Sequence, residues 1–282
     1  MDQIVLLGVK GGPAVRQGGA MPTSTLLQMD GQTIVVDCGI GVSRSLVEAG
    51  VSLLDLDAIF ITHLHSDHVL ELGPLLYTAW TTGLSTRIKL YGPLGIEEYW
   101  EAFLASMAFD QAIRIDDEGR TPIRELVELT VFGEGAVVDL GGTSVSALRV
   151  EHPPVTECYA LKFAGPSKTV VFSADTCYFP PLAAFARGAD YLIHEAMLTD
   201  GVESLIRRTA GAKRLREHLM ASHTPASDVG KIARSAEVKT LILNHLVPAD
   251  DPNFGDEDWR TEVAKSWDGP TIVGKDGLRI KL

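Results

Sequence analysis

Apolar positions come in two textures along this chain. Short blocks at residues 5–7, Ser24–Met29 and 33–36 are apolar almost throughout, with Gly/Pro-rich turns and the hairpin-type dipeptide Asp30, Gly31 between them. Such blocks read as strands. Residues 43–49 carry helical spacing and meet Gly50, a helix stop. The same alternation continues: a buried strand at 58–62, a helix at 69–82 ending at Gly83, a strand at 89–91 and a helix at 95–109. Strands at 126–132, 136–140 and 143–151 are separated by glycine turns, and strands at 159–163 and 169–173 by Gly165 and Pro166. A helix at 182–187, a strand at 191–193, a helix at Ala226–Ala236 and a strand at 240–243 complete the pattern.

No repeat, low-complexity tract or linker interrupts this order, so residues 1–282 read as a single domain. Strands gather in hairpin clusters in each half with helices between them. That arrangement predicts two packed sheets with helices outside. The amino terminus offers Asp2 and only a short apolar run at 4–7, neither a signal peptide nor a membrane span. The expectation is a cytoplasmic protein with no membrane partner.

Composition narrows the function. With 45% hydrophobic and 22% charged residues the chain is of ordinary globular type. A net charge of −12 argues against a surface that tracks nucleic-acid backbones. Three scattered cysteines, Cys38, Cys158 and Cys177, supply neither a disulfide framework nor a thiolate zinc site. Eight histidines remain, and most of them fall at strand ends.

The strand at 58–62 runs directly into His63-Leu64-His65-Ser66-Asp67-His68. His63 and His65, two apart, project to one side of extended chain. Asp67 and His68 follow where the chain turns into a helix. Other apolar strands also run into metal-competent side chains, at His152, Asp175 and His245. Ligands just past strand carboxyl ends are where open sheets build their sites. Five histidines and two aspartates exceed the needs of one tetrahedral ion. Two ions would use them all: His63, His65 and His152 on one, Asp67, His68 and His245 on the other, with Asp175 bridging. Imidazole and carboxylate suit zinc, with manganese or iron as alternatives.

These residues resemble the metallo-β-lactamase-fold hydrolases. The 63–68 run is similar to that superfamily's HxHxDH signature, and Asp37-Cys38-Gly39 to its DxG turn. Four further features resemble the ribonuclease Z and arylsulfatase-like branch: His152 with Tyr159 seven residues on, Ala174-Asp175-Thr176, His194-Glu195-Ala196 and His223-Thr224. The resemblance spans essentially the whole chain. It implies an α/β fold, a four-layer αββα sandwich, with two zinc ions at one edge. It implies that Asp67 doubles as ligand and base, and that His223, oriented by Glu195, protonates the leaving oxygen. Ribonuclease Z carries a long tRNA-gripping arm between the segments matching Tyr159 and Asp175, whereas here only residues 160–174 join them. That departure and the acidic charge argue against tRNA processing and against a nucleic-acid partner.

The function these features imply is hydrolysis of a small ester, a phosphodiester first, by attack of a metal-bridging hydroxide. An arylsulfatase, a lactonase and a ribonuclease Z-type endonuclease are the alternatives, and a homodimer is an expectation from similar proteins. His194 reads as structural, since strand alternation sends it away from Glu195, and His218 has no assigned role. Arg207, Arg208, Lys213, Arg214 and Arg216 form a basic stretch, read as a solvated helix face in preference to an anion-attracting lip. Tyr77, Trp80, Trp100, Tyr178 and Phe179 are candidates for an apolar pocket, although helical spacing makes Tyr77 and Trp80 better core residues.

Overall fold

The computed structural model describes residues 2–282, and these form two seven-stranded sheets. The first is built from β1 (Gln3–Gly8), β2 (Ser24–Met29), β3 (Gln32–Val36), β4 (Ala58–Phe60), β5 (Ile88–Gly92) and β6 (Val127–Val131). The second holds β7 (Gly135–Leu140), β8 (Thr143–Arg149), β9 (Tyr159–Ala164), β10 (Thr169–Phe172), β11 (Tyr191–Met197), β12 (Thr240–Val247) and β13 (Thr271–Val273). Then β14 (Leu278–Lys281) returns to the first sheet beside β1. Both sheets follow one plan. Antiparallel pairing holds through β14-β1-β2-β3 and through β7-β8-β9-β10, and parallel pairing carries on through β4-β5-β6 and β11-β12-β13.

The near-continuous apolar runs follow from burial on both faces. Ile4 and Leu6 of β1 enter the core between the sheets, while Val5 and Leu7 enter a second core on the outer side. Around β4 the split repeats, with Ala58 and Phe60 inward and Ile59 and Ile61 outward. Phe60 stacks on Tyr91 at 4.6 Å and meets Phe163 of the other sheet edge-on at 5.2 Å. Truncating such a buried aromatic costs about 3–5 kcal/mol.

Helices α1 (Val42–Glu48), α2 (Ser66–Val69), α3 (Leu72–Thr81), α4 (Ile96–Ser106), α5 (Ala108–Glu118) and α6 (Ile123–Leu126) lie along the first half of the chain. Of these, α1, α2, α3, α4 and α6 bury residues in the outer core of the first sheet. Later come α7 (Pro181–Phe185), α8 (Thr199–Arg207), α9 (Leu215–Ser222), α10 (Ala226–Ala236) and α11 (Asp256–Ala264). Leu182 of α7, Val229 and Ile232 of α10 and Trp259 of α11 join the core containing the second sheet. The result is the predicted αββα sandwich. A small separate cluster of Met197, Val202, Leu219 and Val247 anchors α8 and α9.

Several element boundaries differ from the sequence pattern. The stretch 69–82 is broken between α2 and α3, because Pro74 has no N–H for the carbonyl of Leu70. Glu71 sits in the break and uses its carboxylate to accept from the Gly41 and Ser43 amides at the start of α1. Residues 95–109 divide at Met107, and the chain continues helically to Glu118. Strands β11 and β12 are longer than the expected 191–193 and 240–243. The pattern left α8, α9, α11, β13 and β14 unassigned: they are short, and the helices are rich in charge.

Candidate metal centre

The carboxyl ends of β3, β4, β8, β10, β11 and β12 lie along one edge of the sandwich, and the histidine-rich segments issue from there. His65 is the N-cap of α2, so Asp67 and His68 sit within a one-turn helix and not in a loop ahead of a helix at Val69. His245 is not past its strand. It lies inside β12, at a register shift where Glu195 pairs with Asn244 and Ala196 with Leu246, leaving His245 unpaired. Such a bulge re-aims one side chain. His245 takes φ +40°, and Asp37 and Ala174 also hold positive φ, at +62° and +55°. Non-glycine residues in this region cost about 1–3 kcal/mol each, a cost characteristically found at functional sites.

Ligand-type atoms converge in two sets. His63 Nε2 and His152 Nε2 each lie 3.1 Å from His65 Nδ1, with Asp175 Oδ2 at 3.8 and 3.7 Å from the two Nε2 atoms. In the second set, Asp67 Oδ2 is 3.7 Å from His68 Nε2 and 3.2 Å from His245 Nε2. Asp175 reaches both sets, its Oδ2 3.1 Å from His245 Nε2 and its Oδ1 3.4 Å from His68 Nε2. A tetrahedral zinc with nitrogens at 2.0–2.1 Å spaces its ligand atoms about 3.4 Å apart, close to these separations.

Three of the remaining ring nitrogens are already held. His63 Nδ1 meets Thr62 Oγ1 at 3.1 Å, His68 Nδ1 meets Asp37 Oδ2 at 2.8 Å, and His152 Nδ1 meets the Ser222 carbonyl at 2.9 Å. Outer hydrogen bonds of this kind fix which nitrogen faces a metal. Asp37 itself accepts from the Thr62 amide and hydroxyl. It was absent from the candidate residues, though its DxG turn was the available signal.

Charge balance favours a cation. Burial pushes His63 and His65 below the usual imidazole range, and His152 down to about 4. Burial opposes charge on His68 and His245 as well, yet Asp175 and its neighbouring carboxylates outweigh it, raising His68 well up and His245 to about 10. Without a cation the chain needs protons on those two rings to compensate Asp37, Asp67 and Asp175. Among the described residues, His68 Nε2, Asp175 Oδ1 and His245 Nδ1 are nonetheless buried without a hydrogen-bond partner. The residues fit metal ions.

His223 and Glu195 complete the floor. His223 Nδ1 lies 3.4 Å from Glu195 Oε2, and Glu195 Oε1 accepts the Thr224 amide at 2.6 Å. The His223 ring stacks on His245 at 5.3 Å, and His223, His245 and Asp175 form a third donor set. His194 is buried, its Nδ1 2.6 Å from the Glu195 carbonyl oxygen. His218 sits 6.1 Å from the His223 ring and 6.2 Å from His65 and His152.

Above this floor is a cleft of about 330 Å³. Leu205, Leu215 and Leu219 line one wall, and residues 10–14 with Arg16 line the other. Gly11 permits a close approach there: a Cβ would come within 2.8 Å of the His245 ring and 2.5 Å of Val247. Gly12, at φ +93°, donates its amide to Asp67 Oδ2 at 2.7 Å. The basic stretch does not line the cleft. Arg207, Lys213 and Arg214 are exposed, Arg216 pairs with Glu203, and Arg208 pairs with Asp250 and Asp251. The aromatic candidates are not there either. Tyr77, Trp80 and Trp100 are buried in the outer core of the first sheet, Phe179 packs on the inter-sheet core, and Tyr178 is exposed.

A family model described as "Anti-Pycsar protein Apyc1" matches residues 3–222. The chain belongs to this family. It is also 31% identical over 285 residues to a protein named ribonuclease Z from Mycobacterium bovis, covering 100% of this chain and 99% of that one. A Mycolicibacterium gilvum protein of the same name is 32% identical over 288 residues, covering 100% and 96%. Among solved structures, the metallo-β-lactamase-fold protein YhfI of Bacillus subtilis superposes with a TM-score of 0.74 at 24% identity, covering 100% of both chains. Human tRNase Z, short form, gives 0.70 at 18%, covering 99% and 98%. The protein is a metal-dependent hydrolase of the metallo-β-lactamase fold. Among the described residues, no helix is long and apolar enough to cross a membrane.

Proposed function

We propose that the protein hydrolyses a small phosphodiester with two zinc ions, one held by His63, His65 and His152, the other by Asp67, His68 and His245, with Asp175 shared. Manganese or iron would suit the same donors. The observation that carries this reading is Asp175, whose two oxygens approach both donor sets at the floor of a cleft of small-molecule size. Ions bound there lower the pKa of water and draw charge from phosphoryl oxygens. Asp67, whose Oδ2 accepts the Gly12 amide, would accept the proton of the attacking water. His223, with Glu195 Oε2 3.4 Å from its Nδ1, would donate a proton to the departing oxygen. Leu205, Leu215 and Leu219 limit water at the reacting group.

A second reading has one observation in its favour: the mycobacterial relatives are named ribonuclease Z. The M. bovis alignment covers 99% of that protein in 285 positions, so it too carries no long insertion relative to this chain. Lack of an arm therefore does not separate this chain from those relatives. The deciding experiment offers the zinc-loaded protein bis(4-nitrophenyl) phosphate, 4-nitrophenyl sulfate, a lactone, a β-lactam and a precursor tRNA. The phosphodiester should turn over fastest, and a preference for any other member of the panel would overturn the reading.

A further inference from the structure

The cleft wall formed by residues 10–14 and Arg16 organises its charge around one carboxylate. Asp250, 4% exposed, accepts from Lys10 Nζ at 2.8 Å, from Arg16 Nη1 at 2.8 Å and from Arg208 Nη1 at 3.2 Å. Arg208 also reaches Asp251 at 3.4 Å. Three cations share two acids, so one net positive charge is left over beside an otherwise apolar wall.

The three cations are not equivalent. Lys10 is buried and spends a second proton on the Ala14 carbonyl at 2.6 Å, which fixes the loop. Arg208 does not line the cleft. Arg16 does line it, is 29% exposed, and donates only through Nη1 to any acceptor among the described residues. A guanidinium gripped by an acid on one nitrogen, with no acceptor among the described residues on the others, is a preset fork for an anion. The reacting phosphoryl group already has the donor-rich floor, so the fork is free for something else.

We propose that Arg16 forms an anion subsite that reads a second negative charge, a carboxylate or phosphate, on one substituent of the phosphodiester. Asp250 is its positioning residue. The inference rests on the phosphodiesterase reading and adds a preference that the metal donors do not supply.

Two isosteric esters test it: bis(4-nitrophenyl) phosphate and 4-nitrophenyl 4-carboxyphenyl phosphate, which both release 4-nitrophenolate. Wild type should favour the carboxylate ester about tenfold in kcat/KM, the scale of one charge-assisted bond. Arg16→Ala should bring the ratio near one, and Arg16→Lys should restore part of it. Arg208→Ala cuts the same network outside the cleft and should keep the preference. The inference is overturned if wild type shows no preference, if Arg16→Ala retains it, or if Arg208→Ala abolishes it equally. If neither ester is hydrolysed, the phosphodiesterase reading has failed, and the two esters become inert ligands. Calorimetric titration then reads Arg16 alone: equal affinity of wild type for both esters overturns the subsite, whereas tighter carboxylate binding lost in Arg16→Ala upholds it.

Discussion

From the first sheet, one six-residue segment after β4 supplies His63, His65, Asp67 and His68. From the second, His152, Asp175 and His245 come singly from the ends or interior of separate strands. The two sets that include the contiguous segment each take two residues from it and one from the scattered residues, and Asp175 reaches both. The first half is thus positioned by local backbone, a strand end running into a one-turn helix. The second half is positioned by sheet register, down to the bulge that turns His245 inward.

The largest effect should come from the residue both sets share. Asp175→Ala removes the carboxylate that approaches both, so the ion content measured by elemental analysis should fall well below that of wild type. Phosphodiester turnover should drop by about three orders of magnitude or more, matching several kcal/mol of lost charge stabilisation. Full metal content in this variant would show that the two halves assemble independently.

Asp37→Asn acts on the contiguous half alone. It weakens the acceptor for His68 Nδ1 while leaving every donor atom in place. Outer-layer losses of this kind cost about 10–100-fold in metal affinity or activity. Gly11→Ala is the counterpart on the scattered half, since its Cβ collides with His245 and Val247. Overpacking should cost about 1–3 kcal/mol of stability, read by denaturant unfolding, along with a loss of activity. Equal metal dissociation constants for wild type and both variants would remove the distinction between the halves.

How legible each half was follows from the same difference. The 63–68 run announced itself because its donors are neighbours, and His152 and Asp175 were readable as residues following apolar strands. His245 joins its donor set by a route other than the one its place after residues 240–243 suggests. The sequence pattern ends the strand at Leu243, but β12 continues to Val247 and a register shift with β11 explains the side chain's aim. The four-layer fold was readable because hairpin signals and doubly buried strands are local. The cleft walls were not: α8 and α9 are short and charge-rich, and Lys10, Gly12 and Arg16 reach the site only through contacts with residues 55 to 240 positions away. His218 went unassigned for the same reason, as α9 was not visible in the pattern.

Protonation offers a subtler separation, in the metal-stripped chain. His245, raised to about 10 in the fold against about 6.5 unfolded, contributes stability that is full below pH 6.5 and lost as pH climbs toward 10. His152, lowered to about 4, does the reverse, so stability falls as pH drops from 6.5 toward 4. An ion on His245 takes the place of its proton and removes the alkaline slope. Melting temperatures followed from pH 5 to 10 should therefore diverge between stripped and loaded protein above neutrality. Parallel curves would contradict the charge balance described for the second donor set.

The smallest expected effect concerns the stretch outside both halves. Lys213 and Arg214 are exposed and absent from the cleft lining, so reversing them to glutamate alters only solvated charge. Stability should stay within about 0.5 kcal/mol of wild type, as for surface substitutions away from special features. Long-range attraction of an anionic ester would weaken slightly at low salt and be screened at physiological ionic strength, where the Debye length is about 8 Å. KM for the carboxylate ester should thus match wild type at 0.15 M salt, while Arg16→Ala raises it. A large rise in KM for Lys213→Glu/Arg214→Glu at that salt would restore the anion-attracting lip and shift substrate recognition from the amino-terminal loop to the segment joining α8 and α9.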